Sequence, residues 1–273
     1  MHRDVTWESD VDFLVGDVGF NCNYLARELP RPGFQRLIKT PEMIQPYVDL
    51  VAELEPRRIM ELGIRFGGSA AFLHQLASPE RLVVVELKPT PAPLLVDYID
   101  QHGAGDVVRP HYGVDQADRG ALRAIVEEEF GDGPLDLVID DASHLYEPTL
   151  ASFEELFPRL RPGGRYVIED WTADFERLDR WAAAFSNLPP DQIAKLRQMR
   201  RDGELDPPDP LVSLLTIELV LMRASKTDVI GDIGVSRHWT SITRGPGALT
   251  PGEFRVRSSY QDSMGLLEQF LPR

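Results

Sequence analysis

Two kinds of hydrophobic pattern alternate along this chain. Unbroken runs of branched apolar residues occur in RIMELG (58–63), RLVVVEL (81–87), LDLVIDD (135–141) and RYVIED (165–170). Such runs predict short strands covered on both faces. DVVRPHYG (106–113) is a weaker strand, because Pro110 interrupts it. Between the runs, apolar positions recur every three or four residues, which predicts helices over 41–56, 67–77, 93–103, 117–131 and 147–160. Pro41 and Pro56 bound the first of these, Gly103 suits the C-cap of the third, and RPGG (161–164) reads as the turn into the fifth strand. Strands alternating with helices of this length imply a doubly wound, mostly parallel α/β sheet with helices on both faces.

The pattern loosens afterwards. Residues 174–186 and the basic stretch DQIAKLRQMRR (191–201) read as helices, and DGELDPPDP (202–210) as an acidic, Pro-rich loop. VSLLTIELVLMRA (212–224) and TDVIGDIGV (227–235) are β-rich and are expected to close the sheet. The last forty residues, broken by Gly and Pro, give no assignment. Residues 1–40 carry Trp7, Phe13, Phe20, Tyr24 and Phe34, too many aromatics for a solvated tail. They are expected to form a cap or an oligomerisation segment, giving a homo-oligomer, ahead of one domain over 41–273.

Composition removes several classes of partner. A formal net charge of −15 with no Lys/Arg stripe argues against nucleic acid. No apolar run approaches the roughly 20 residues of a membrane helix. The acidic start, MHRDVTWESDVDF, lacks the order of a secretory signal, and the single Cys22 forms no internal disulfide, so a cytoplasmic location is expected.

Charge placement is more informative. Glu61 and Glu86 end the first two strands, Asp115 follows the third, Asp140 and Asp141 end the fourth, and Glu169 and Asp170 the fifth. In a doubly wound sheet these ends form one edge, where ligands bind. Any one acid there is as readily a helix cap, but acids at all five positions require a cation or a polyhydroxyl ligand to offset their repulsion. The first turn, E-x-G-x-R-x-G-G-S, brings Gly63, Gly67 and Gly68 close to a ligand without matching the G-x-G-x-x-G dinucleotide pattern. Glu86 stands where an acid holds both hydroxyls of a ribose. A cofactor with a ribose but no phosphate fits this better than NAD.

The series E-x-G-x-x-x-G-G-S, V-V-E, G-x-D-Q, I-D-D-x-S-H and R-P-G-G-x-Y-V-I-E-D, over about residues 41–171, resembles class I S-adenosylmethionine-dependent methyltransferases. More narrowly it resembles the metal-dependent macrolide-sugar O-methyltransferases and cephalosporin-hydroxylase-like proteins. Arg65 stands where the superfamily often has a third Gly. The resemblance implies a Rossmann-like fold and a lid inserted at 187–210. It implies cofactor contacts from Glu61, Gly63, Arg65, Gly67 and Ser69, with Glu86 on the ribose, Asp115 and Gln116 near the adenine, and Asp140 toward the methionine or sulfonium. It also implies Mg²⁺ on Asp141, Glu169 and Asp170, and His144 as general base. Carboxylate oxygens suit a hard ion, a bound cation acidifies an acceptor hydroxyl, and a neutral imidazole takes its proton. His74, His102, His111 and His238 have no such context and read as structural or surface residues.

The expected activity is Mg²⁺-dependent methyl transfer to a hydroxyl of a small molecule, such as a sugar or polyol of a secondary metabolite. Two readings stay open beside it: the same fold with another acceptor atom or a hydroxylase-associated role, and a non-catalytic cofactor-binding partner.

Overall fold

The computed structural model describes residues 4–23, 30–172 and 212–260, with isolated positions between 189 and 198. The expected helix at 174–186, most of the basic helix and the lid at 187–210 lie outside the described residues. The chain opens with a small sheet in which β1 (Val5–Trp7), β2 (Asp12–Val15) and β3 (Val18–Asn21) run antiparallel and β4 (Phe34–Arg36) joins β3 in parallel. Helix α1 (Pro41–Leu54) then leads into the main sheet.

Five parallel strands follow: β5 (Arg58–Leu62), β6 (Arg81–Glu86), β7 (Val108–Tyr112), β8 (Leu135–Asp140) and β9 (Leu160–Glu169). Helices α2 (Gly68–Ala77), α3 (Pro93–His102), α4 (Arg119–Phe130) and α5 (Tyr146–Leu156) connect them. After helix α6 (Val212–Ser225), strands β10 (Ile230–Val235) and β11 (Trp239–Arg244) complete seven strands in the order β10-β11-β9-β8-β5-β6-β7. Strand β11 is antiparallel to both its neighbours. The order reverses between β5 and β8, so the open crevice of the sheet lies above their carboxyl ends.

The unbroken apolar runs are explained by two cores. Ile59, Leu82, Val84, Leu137 and Ile139 face α1, α2, α3 and the N-terminal sheet. Met60, Val83, Val85, Val138 and Tyr166 face α4, α5 and α6 on the other side. Successive strand residues point to opposite faces, and both faces are covered, so no polar alternation survives.

Two expectations are corrected. Residues 212–224 form helix α6, not a strand. Val212, Leu215, Leu219 and Met222 are buried at spacings of three and four, and that period outweighs the β-rich composition. RPGG is not the turn into a strand but part of β9, whose register against β8 jumps from Leu135↔Leu160 to Leu137↔Arg165 across a bulge. Among the described residues, no helix is long and apolar enough to cross a membrane.

The N-terminal sheet is fixed to the main domain through Phe72 of α2, 1% exposed, which meets Phe13, Phe20 and Tyr47 edge-on at centroid distances of 5.8, 5.6 and 5.9 Å. Gly68 is required at the same junction, since a Cβ there would lie 1.9 Å from the Arg36 carbonyl oxygen. We expect Phe72→Ala to cost about 3–5 kcal/mol in urea unfolding and to expose residues 4–23 to limited proteolysis. An unchanged unfolding midpoint would show that the two sheets are independent.

Candidate active site

The carboxyl ends of the parallel strands open into one cavity of about 760 Å³. One end is built on the turn after β5. Gly63 has φ +82°, and a Cβ on it would lie 2.3 Å from the Asp141 carbonyl oxygen, so only glycine lets this turn pass the loop after β8. Glu86 locks the same turn. One carboxylate oxygen accepts the N–H groups of Ile64 (3.2 Å) and Arg65 (2.9 Å), and the other accepts that of Lys88 (3.0 Å). Gly63, Arg65, Ser69, Glu86, Asp115 and Gln116 all line the cavity. Gly67, the N-cap of α2, does not.

Asp140 is corrected: it does not face the cavity. Its carboxylate, 2% exposed, accepts bonds from Ser152 Oγ (2.7 Å), Tyr166 OH (2.9 Å) and Gln116 Nε2 (3.1 Å). Burial pushes its pKa up, and these donors oppose the shift. Gln116 in turn accepts the Ser143 N–H at 2.8 Å through Oε1. Both ends of the Gln116 amide are therefore engaged in shaping the loop that carries Asp141 and His144.

The other end of the cavity gathers the remaining acids around a residue with no sequence signal. Lys39, in the link between β4 and α1, is 2% exposed. Its ammonium donates to Asp141 Oδ2 at 2.6 Å and to Glu169 Oε1 and Oε2 at 2.8 and 2.7 Å. The buried Tyr47 hydroxyl also donates to Glu169. Burial alone would lower the lysine's pKa, but the two carboxylates outweigh it and hold the pKa above the usual range. Glu169 is pushed upward by burial and by Asp141, against the pull of Lys39 and Tyr47. Beneath them lies Glu61, 0% exposed, with no hydrogen-bond partner within normal reach of either carboxylate oxygen. Burial pushes it up to about 7, Lys39 and the nearby Ser69 hydroxyl pull back, and Asp141 adds to the rise. Glu61, Asp141 and Glu169 thus share one cation.

On the open side, His144 Nε2 lies 3.9 Å from Asp141 Oδ1 and 4.0 Å from Asp170 Oδ2. Ligand atoms of Asp141, His144 and Asp170 come within 4.8 Å of one another. Glu169, the third residue of the expected metal set, is not in this group. Glu169 is turned inward onto Lys39 and Tyr47, while Asp141 and Asp170 offer oxygen donors that suit a small hard cation. His144 and Asp170 both hold left-handed backbone, φ 53° and 49°, and the Asp170 N–H is bonded to the His238 carbonyl at 2.9 Å.

His238 is corrected too, since it and Arg237 line the cavity. The register that sets Trp239 against Glu169 brings them there. His74 and His111 are satisfied elsewhere, by Tyr98 OH at 2.6 Å and Glu129 at 3.0 Å, and His102 lies against the Tyr98 ring. Sequence reasoning missed Lys39 and Tyr47 because they precede the first parallel strand.

Residues 60–171 match the family model described as a methyltransferase domain. Over this segment, which runs from β5 to β9 and holds the cavity edge, the chain is similar to methyltransferase domains. Parts of its sequence are similar to parts of known O-methyltransferases. It is 38% identical over 128 residues to the 8-demethyl-8-(2-methoxy-alpha-L-rhamnosyl)-tetracenomycin-C 3'-O-methyltransferase of Streptomyces olivaceus, covering 44% of this chain and 29% of that protein. It is 62% identical over 42 residues to the mycinamicin VI 2''-O-methyltransferase of Micromonospora griseorubida, covering 15% of this chain and 10% of that protein. The aligned stretches thus span less than a third of these relatives. An O-methyltransferase from Bacillus cereus solved in complex with SAH shares the fold, with a TM-score of 0.51 and 19% identity over 76% of this chain and 82% of that one.

The buried Glu61 sets a pH dependence. Its pKa rises from an ordinary 4.5 to about 7 on folding, so the folded state favours the protonated form. The associated stability is fully present below pH 4.5 and is lost as pH rises through about 7. Glu61→Gln should flatten this decline, worth on the order of 3 kcal/mol, in ligand-free unfolding measured from pH 5 to 8. Parallel pH profiles for the two proteins would contradict the assignment.

Proposed function

We propose that this chain transfers the methyl group of S-adenosylmethionine to a hydroxyl of a small polyhydroxylated acceptor, such as the sugar of a secondary metabolite. The observation that carries the reading is the continuity of one cavity. It joins the Gly63 turn and Glu86 to the group of Asp141, His144 and Asp170. The cofactor brings positive charge on its sulfonium and its amino group. Both suit an edge where three buried or half-buried carboxylates share one lysine.

In this reading Glu86 accepts the ribose hydroxyls, Gly63 and Ser69 bound the methionine part, and Arg65 and Asp115 border the same pocket. Asp141 and Asp170 would hold a divalent ion, Mg²⁺ by the hardness of their donors, which would supply acidification of the acceptor hydroxyl. The acceptor oxygen forms its bond to the methyl carbon as the carbon–sulfur bond breaks, and the sulfur leaves as a neutral thioether. His144 takes the hydroxyl proton on Nε2, and Asp141 faces the imidazolium that results. The chain contributes chiefly alignment and a positioned base. The N-terminal sheet and its link to α1 act as a cap, since Arg36, Ile38 and Lys39 close one side of the cavity. Trp7 of this sheet stays 42% exposed and offers an apolar contact for a homo-oligomeric assembly.

Calorimetry with S-adenosylmethionine, and mass spectrometry after incubation with a panel of glycosylated metabolites, test the reading. We expect cofactor binding and a single added O-methyl group. Glu86→Ala should weaken cofactor binding by roughly tenfold or more, as expected for loss of charge-assisted bonds. His144→Ala should leave cofactor affinity unchanged and slow turnover by about 10²–10⁴-fold. Tight NAD binding without S-adenosylmethionine binding, or full activity in His144→Ala, would contradict it.

A further inference from the structure

The ammonium of Lys39 has three protons and no acceptor, and it meets three carboxylate oxygens at 2.6–2.8 Å. Both oxygens of Glu169 are occupied by it, and Tyr47 adds another donor to one of them. Asp141 is divided: Oδ2 is held by Lys39, which leaves Oδ1 facing His144. A lysine 2% exposed and bonded on all three sides is not readily displaced, because moving it leaves buried carboxylates uncompensated. It is anchored from behind as well, since Leu37 is 0% exposed and the backbone N–H of Leu37 bonds to the Asn21 carbonyl at 2.9 Å.

Resting on the metal reading above, we infer that Lys39 is a resident cation and positioning residue. It permanently fills the place between Asp141 and Glu169, so a divalent ion is held by Asp141 and Asp170 beside His144, without Glu169. The link that follows the N-terminal sheet is then part of the site, because it delivers the lysine that sets both the charge and the orientation of Asp141.

Mn²⁺ binding to the full chain, followed by electron paramagnetic resonance, tests this, with SAH calorimetry and thermal melts as controls for folding. In the wild-type background, Asp170→Asn should weaken Mn²⁺ binding by more than about tenfold and Glu169→Gln by less than about threefold. Lys39→Met should tighten binding by about tenfold or more, as Glu169 becomes available. Adding Glu169→Gln to Lys39→Met should cancel that gain, and Lys39→Arg should behave as wild type. If Lys39→Met does not fold, the comparison of Asp170→Asn with Glu169→Gln decides alone. Equal losses from those two substitutions would overturn the inference, since the ion would then displace Lys39 and use Glu169. If wild type binds no Mn²⁺ but Lys39→Met does, the resident-cation role stands and the metal reading falls. If neither binds Mn²⁺, both fail.

Discussion

The site depends on one buried charge arrangement. Lys39 holds Asp141 and Glu169 together where two neighbouring strands end, and without it the two carboxylates would repel, Glu169 out of reach of solvent. Because one oxygen of Asp141 is fixed in this way, the other is aimed at His144 and the open cavity. Because Glu169 is satisfied from inside, the adjacent Asp170 is the acid that reaches the solvent side. Cation, acid and imidazole are thus placed by a single interaction that spans two layers of the fold.

The backbone carries strain at the same point. His144 and Asp170 sit in left-handed conformations that cost non-glycine residues of order 1–3 kcal/mol and persist only when neighbours impose them. For His144, the imposing contacts run from Asp140 through Gln116 to the Ser143 N–H. For Asp170, the contact is the His238 carbonyl, in the turn just before the strand that enters the sheet antiparallel. Asp140 and His238 therefore matter through geometry, although neither holds the place that sequence alone assigns to it.

Much of this was legible in the residues. The doubly covered strands, their order of alternation with helices, and the acids gathered at one edge all follow from local pattern, because apolar runs and strand ends are properties of short segments. What failed was long-range. VSLLTIELVLMRA has strand-like composition, and only the packing of Leu215, Leu219 and Met222 against the second core reveals a helix. Glu169 and Asp170 are adjacent in sequence, yet opposite neighbours of a strand end turn one toward Lys39 and the other toward the cavity. Lys39 itself is separated from Asp141 by 102 positions, and no spacing rule connects them.

Anomalous diffraction at the manganese edge, from crystals of the full chain grown with SAH and Mn²⁺, tests the central arrangement most directly. The account predicts SAH between the Gly63 turn and Glu86, a manganese peak at Asp141 and Asp170 near His144, and Lys39 still bridging Asp141 and Glu169. A peak on Glu169 with Lys39 driven out, or SAH bound away from the Gly63 turn, would contradict it.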